Sequence, residues 1–263
     1  MVPQLEAAIA AAKAAGEVIL PYFRTALQVE IKADQSPVTA ADRAAEQVIV
    51  ETLQRHFPDY GVLGEEFGAQ AGRSNARWII DPIDGTQNFI RGIPYFATLI
   101  GLEEAGEITA GVVYAPACAD LLYAAKGQGA FANGERITVS TITDLSQAML
   151  LHSSLNLLLQ GGYWDGLVRL VQATRRQRGF GDYFAHTFVC RGQAEVMLEV
   201  DVKPWDLAPL KILVEEAGGR FSDFAGVPTI YSGTVVTSNG HVHDTVLSLL
   251  GAQECGEKGE RGR

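Results

Sequence analysis

The chain has 263 residues, 47% of them hydrophobic and 20% charged, with 21 basic against 31 acidic side chains for a formal charge of −10. That composition excludes a disordered chain, and the acidic balance argues against nucleic acid or an anionic membrane surface as the partner. Three scattered cysteines (Cys118, Cys190, Cys255), no basic-then-apolar leader and no run near the roughly 18 apolar residues of a spanning helix lead us to expect a cytoplasmic chain with ordinary thiols.

Leu5, Ile9, Ala12, Gly16 and Ile19 recur at helical spacing, so the chain should open on an Ala-rich amphipathic helix perturbed at its end by Pro21. Val29-Glu-Ile31 alternates like a short strand. Thr39-Ala-Ala-Asp42 reads as a capping-box start to a second helix with Ala45, Val48, Ile49 and Leu53 on one face, closed by Pro58. Strand-like pieces follow at Trp78–Ile80, Ala97–Leu102, Gly111–Tyr114, Leu121–Ala125 and Gly129–Ala132, and Asn133-Gly134 signals a hairpin. Gly127-Gln-Gly129 is not a dinucleotide loop, because the third glycine and the following helix are missing. Tyr163–Arg176 is amphipathic. Phe184–Cys190 and Ala194–Val200 fit helix or strand equally. Leu207, Leu210, Val214 and Ala217 form a helical stripe stopped by Gly218-Gly219. Strands around Arg220–Phe224 and Thr234–Thr237 and a helix over Asp244–Leu250 end the pattern, leaving a polar tail at 251–263 expected to be disordered. The irregular alternation implies layered α and β elements.

Carboxylates gather beside apolar strand ends: Glu65 and Glu66 after Gly64, Asp81 and Asp84 after Trp78-Ile-Ile80, and Asp206 after Lys203-Pro-Trp. Hard divalent cations want oxygen ligands of this kind, completed by water and substrate phosphate. In Asp81-Pro-Ile-Asp84, Pro82 stiffens the link between the two acids. Gly85 and Thr86 then offer backbone N–H groups at a helix start, a ready phosphate cradle, and Thr86 adds a hydroxyl to orient a water. Each acid alone has a plainer reading. Asp-Gly is a turn, Glu-Glu a solvated surface, and Asp42 and Asp206 have helix-capping work available.

Taken in order, Ser36-Pro-Val-Thr39-Ala-Ala-Asp42, Gly64-Glu65-Glu66, Trp78-Ile-Ile-Asp-Pro-Ile-Asp-Gly-Thr-Gln-Asn-Phe89, and Trp205-Asp206 followed by Ala217-Gly218-Gly219 resemble the signatures of the inositol monophosphatase family up to about Leu250. The resemblance implies a layered αβαβα fold, an α/β (α+β) sandwich, with an N-terminal half over 1–140 carrying most ligands and a C-terminal half over 141–250 carrying Asp206 and the specificity residues. It implies two or three Mg2+ ions. Glu65, Asp81 and the Ile83 carbonyl would hold the first, and Asp81, Asp84 and Asp206 the second. Asp42, through water or with Glu65, would serve a weaker third. Thr86 with Glu65 or Asp42 would position the attacking water, and the Gly85 and Thr86 amides would bind phosphate. Glu66 is left as surface or supporting. The resemblance also implies a homodimer. An acidic chain can bind a phosphate dianion once bound cations invert the local potential, and metal-assisted hydrolysis needs no phosphoenzyme nucleophile.

The leaving group is read further along, from Gly181-Asp182, Glu199 and Lys203–Asp206. Inositol-specific members usually carry Gly-Ser at the first of these. Asp182, Gly64-Glu-Glu-Phe-Gly68 and Asn88-Phe-Ile-Arg91-Gly92 are similar instead to the histidinol-phosphate phosphatase branch. Asp182 and Glu199 would pair with the ammonium and imidazole of L-histidinol phosphate through charge-assisted hydrogen bonds. The alternatives are an inositol-1-phosphate or broad sugar-phosphate phosphatase, in which Glu199 takes polyol hydroxyls, and a non-catalytic protein on the same scaffold. Retention of Glu65, Asp81, Asp84, Thr86 and Asp206 argues against the last. Arg91 and Arg178 read as surface or interface charges, His186 as a core or supporting histidine, and His241 and His243 as surface.

Overall fold

In the computed structural model, residues 2–26, 28–32 and 37–251 are described. Ser36 of the early motif, Cys255 and the expected tail beyond Gly251 lie outside them.

The first helix, α1 (Pro3–Ile19), starts with proline in its first turn and gives way to a short 3-10 turn at Leu20–Tyr22, where Pro21 stands. Strands β1 (Val29–Ile31) and β2 (Pro37–Thr39) pair antiparallel. Helix α2 (Ala40–His56) follows at once. Its N-cap is Thr39, whose N–H and hydroxyl both donate to the Asp42 carboxylate, at 2.8 and 2.6 Å.

Eight strands between residues 61 and 137 then form one sheet. They are β3 (Gly61–Gly64), β4 (Gly68–Gln70), β5 (Ala76–Asp84), β6 (Ala97–Glu104), β7 (Glu107–Ala115), β8 (Asp120–Ala125), β9 (Gly129–Ala132) and β10 (Glu135–Ile137), in the spatial order β10-β9-β8-β7-β6-β5-β3-β4. Asn133 and Gly134 make the β9–β10 turn with φ of 50° and 89°, the left-handed pair of a type I′ hairpin. A five-residue helix, α3 (Thr86–Ile90), leaves the end of β5.

The second sheet has the order β12-β11-β13-β15-β14, from β11 (Met149–His152), β12 (Arg176–Arg178), β13 (Val196–Val200), β14 (Arg220–Ser222) and β15 (Thr234–Ser238). The helices of this half are α4 (Leu155–Gln160), α5 (Trp164–Ala173), α6 (Asp182–Cys190), α7 (Pro204–Glu216) and α8 (His243–Gly251). The segment that fits helix or strand equally resolves into both: α6 packs in the middle layer and β13 is a buried strand. The stretch expected to be helical through Arg176 stops at Ala173, and Arg176 opens β12.

Alternation along the strands separates the layers, because neighbouring side chains point to opposite faces. Trp78, Ile80, Ile100 and Val112 pack on one side with Ala8, Ala12 and Ile49 of α1 and α2. Ile79, Leu99 and Val113 pack on the other with Leu207, Leu210 and Leu213 of α7. Ala185 and Val189 of α6 meet Leu151 and Met197 of the second sheet, and Leu167, Leu170 and Val246 of α5 and α8 cover its far face. The order is α/β/α/β/α. Helix α7 sits close to the first sheet because β6 and β7 present Gly101 and Gly111 beneath it. A Cβ there would stand 2.6 Å from the Ala208 Cβ and 2.8 Å from the Pro209 carbonyl oxygen. This approach carries the N-terminus of α7 to the end of β5. Among the described residues no helix is long and apolar enough to cross a membrane.

His243, expected at the surface, is buried between the hydroxyls of Ser222 (2.9 Å) and Ser238 (2.8 Å), whereas His241 is exposed. Burial, helped by the Arg220 charge, pushes its pKa down to about 4 from 6.5. The unfolded chain therefore binds the extra proton first, so stability is full above pH 6.5 and is lost as pH falls toward 4, by about 3 kcal/mol in all. Urea midpoints measured at pH 7.5 and 4.5 should differ less in His243→Gln than in the parent chain. An equal difference in both would show that His243 does not carry this linkage.

Candidate active site

The strand expected over Trp78–Ile80 runs on through Asp81 and Asp84. Both lie inside β5 and are nearly fully buried. Residues three apart on a regular strand point to opposite faces. Here the pairing runs Asp81 to Leu99 and Asp84 to Ala97, so β5 carries one more residue than β6. This β-bulge restores the parity, and carboxylate oxygens of both acids come together with one of Asp206. The three oxygens lie within 4.8 Å of one another. The bulge is held from β6: the buried Thr98 hydroxyl donates to the Pro82 carbonyl at 2.9 Å, and the Ile83 N–H donates to Asp81 at 2.9 Å.

Gly85 has φ of 82°, a left-handed conformation that turns the chain from β5 into α3. The Thr86 hydroxyl donates back to the Ile83 carbonyl at 2.9 Å. Asp206 sits in the first turn of α7 and accepts the Lys203 N–H at 2.7 Å, so it caps its helix while facing the β5 acids. Tyr183, in the first turn of α6, donates its N–H to Asp84 at 2.6 Å. Both middle-layer helices thus direct their N-termini at the acidic group, where the helix dipole favours negative charge.

Even so, the repulsion is large. Burial, then Glu65, Asp84 and Asp206, raise the Asp81 pKa well above its ordinary value. Burial, then Asp182 and Asp206, do the same for Asp84. Burial takes Asp206 to about 7, with Glu65 and Glu199 adding to it. Buried oxygen-only donors that resist joint ionisation are the chemistry of a hard-cation site, and the group fits one.

Glu65 is not among those three oxygens. It follows β3, its N–H donates to the Ile80 carbonyl at 3.1 Å, and its Oε1 receives Lys32 at 2.8 Å. Lys32 also reaches Glu66 at 2.5 Å, and these bonds raise its pKa against the effect of burial. Glu66, read as surface or supporting, has a largely buried side chain, and burial pushes its pKa up to about 7. Asp42 is buried, raised by burial and by Glu65 against the bonds from Thr39, and adds to the potential at Asp81.

A cavity of about 470 Å³ extends from Asp84 and Asp206 past Asp182 and Glu199 to Ser153, Leu157 and Gly179. Asp182 has φ of 57°, tolerable for a short polar side chain. It accepts from the Asn88 side chain at 3.0 Å, and burial with Glu199 takes its pKa to about 7. Glu199 is gripped by buried His186 (Nε2 to Oε2, 3.2 Å), whose Nδ1 meets the Thr237 hydroxyl at 3.0 Å. Arg91 and Arg178 are exposed. A second cavity of equal volume, around Glu103, Lys126, Lys211 and Tyr231, holds none of these acids. Lys32, Thr98 and Glu46 were not expected at the site. For Glu46 a signal existed, since it stands one helical turn after Asp42.

Comparison with known proteins finds relatives over the length of the chain. The model of the inositol monophosphatase family matches residues 1–254. A histidinol-phosphatase of Mycobacterium tuberculosis is 42% identical over 86% of this chain and 89% of its own length. One of Chlorobaculum parvum is 38% identical over the whole of both. Among solved structures, the inositol monophosphatase of Thermotoga maritima superposes with a TM-score of 0.86 at 34% identity, covering 95% of this chain and 97% of its own. With sequence motifs, fold and full-length relatives in agreement, the chain belongs to the inositol monophosphatase family.

Proposed function

We propose that this chain is a Mg2+-dependent phosphate-monoester hydrolase acting on L-histidinol phosphate, giving L-histidinol and phosphate in histidine synthesis. The observation that carries the substrate is the single cavity joining the Asp84–Asp206 acids to Asp182 and Glu199, in a chain 42% identical to a histidinol-phosphatase. The alcohol end of that substrate bears an ammonium and an imidazole. Two carboxylates at the cavity wall suit such cations far better than the neutral ring of an inositol.

In this reading Asp81, Asp84 and Asp206, with Glu65 and the Ile83 carbonyl, hold two or three Mg2+ ions. When bound, the ions neutralise the phosphate and the departing oxygen and acidify water. The protein's own groups do the positioning. The Thr86 hydroxyl has its proton committed to Ile83, which leaves its lone pairs free to accept from an attacking water. Glu65 or Asp42 would position that water and take its proton, and a proton from solvent would convert the departing alkoxide into the alcohol. The Gly85 and Thr86 amides meet phosphate oxygens, and Asp182 and Glu199 orient the leaving alcohol. Chelation should abolish turnover, and added Mg2+ should restore it and raise the thermal midpoint with concentration by mass action.

The substrate is tested by kcat/KM measured in parallel on histidinol phosphate, inositol-1-phosphate and a 3′-phosphoadenosine nucleotide. Histidinol phosphate is expected to lead by roughly 100-fold or more, the worth of two charge-assisted bonds. Parity with inositol phosphate would sink the substrate assignment and leave the phosphatase standing. A cytoplasmic homodimer completes the reading. Cys118 and Cys190 are free thiols. Exposed Tyr95 and Phe180 stack with Phe184 and Phe188 into an aromatic surface, of the kind found at subunit contacts. Sedimentation equilibrium checks the dimer.

A further inference from the structure

We infer that Glu46 is a positioning residue of the metal site, a buried carboxylate that latches the loop after β3 and so sets Glu65. Asp42 and Glu46 stand four apart on α2 and share its inward face. Glu46 is 0% exposed. Among the described residues its side chain makes no hydrogen bond to another acidic side chain. Its two oxygens are spent on backbone: Oε2 accepts the Glu66 N–H at 2.8 Å, and Oε1 the Phe67 N–H at 3.0 Å. On the other side of Glu65, its own N–H is tied to Ile80 of β5. The ligand is therefore fixed between two anchors, one on the sheet and one on α2.

Gly64 completes the device. A Cβ at that position would run into the Glu46 carboxylate, so the loop and the latch fit only because position 64 carries no side chain. Burying a carboxylate opposes folding unless its hydrogen bonds compensate. An apolar side chain would fill the space with less penalty but would leave the loop amides ungripped. Charged acceptors hold N–H donors about twice as strongly as neutral ones, which is what a loop presenting a ligand to a cation requires. Groups that orient ligands typically shift metal affinity roughly 10- to 100-fold when removed.

The inference rests on the reading of Glu65 as a ligand, so the test measures metal binding without substrate. Mn2+ is titrated into chelator-stripped protein by calorimetry, alongside thermal midpoints. Glu46→Gln keeps one acceptor and turns an NH2 group toward the other amide. Its Mn2+ Kd is expected to rise roughly 10-fold or more, with kcat largely recovered at saturating metal. Glu46→Asp should fall between it and the parent. Gly64→Ala should raise the Kd similarly with Glu46 intact, and it carries the test if Glu46→Gln does not fold. The control is Glu195→Gln. That buried carboxylate holds Met149 N–H (2.6 Å) and Ser140 (2.8 Å), and its loss should lower the midpoint without moving the Kd. Unchanged Kd in Glu46→Gln and Gly64→Ala, with only a loss of stability like that of Glu195→Gln, overturns the inference. A parent chain that binds no Mn2+ overturns the metal reading itself.

Discussion

Asp84→Asn should abolish phosphate-ester hydrolysis and leave the chain folded. The amide keeps an oxygen to accept the Tyr183 N–H that Asp84 now receives at 2.6 Å, so the contact between β5 and α6 survives. What disappears is one of three convergent carboxylates and its charge toward a divalent cation. Loss of kcat on the order of 10³-fold or more, about 4 kcal/mol of transition-state stabilisation, is the expected scale. Stability should move the other way. In metal-free protein the buried Asp84 charge is opposed by burial, Asp182 and Asp206. Removing it relieves repulsion, so the thermal midpoint of the variant should match or exceed that of the parent. With Mg2+ present the order should invert, because only the parent gains fully from the ion. Near-normal turnover would overturn the ligand assignment. A collapsed midpoint in both conditions would mean that Asp84 is needed for the fold.

The second large effect is expected at the leaving group. Asn tolerates the left-handed backbone that Asp182 adopts, and it can still accept from Asn88. Asp182→Asn therefore removes a charge and little else. On histidinol phosphate, kcat/KM should fall roughly 10- to 100-fold, about 1.5–3 kcal/mol for one charge-assisted bond. On inositol-1-phosphate it should hardly change, so the preference between the two collapses. Equal losses on both esters would make Asp182 a general structural support of α6. The partner acid is steadied from behind by His186, so His186→Ala should produce a weaker version of the same loss of preference.

Much of this protein is legible in its residues. Helix periodicity places α1, α2 and α7, and Asn133-Gly134 places the β9–β10 hairpin, because these signals are local: a repeat of 3.6, or a turn that only certain residues can make. The motif residues likewise declare a metal-assisted phosphatase, since oxygen-rich strand ends and a helix-start glycine are chemistry readable from residue types. The segments that escape are short and depend on neighbours. Strands β3, β4, β11 and β12 have three or four residues each, too few for a period, and they exist because neighbouring strands accept their backbone. His243 reads as surface and is core, because the two serines that satisfy it lie 5 and 21 residues away.

Asp81-Pro-Ile-Asp84 marks the division most clearly. Residue order alone determined that two acids close an apolar run. Whether they face one another depended on an extra residue relative to β6, a fact about pairing between strands that neither strand contains by itself. The same holds for Asp206 and for Glu46: each became part of the site when α7 settled on Gly101 and Gly111, and when α2 closed over Gly64. Residue identity chose the chemistry, and the close approach of distant backbones decided where the charges meet.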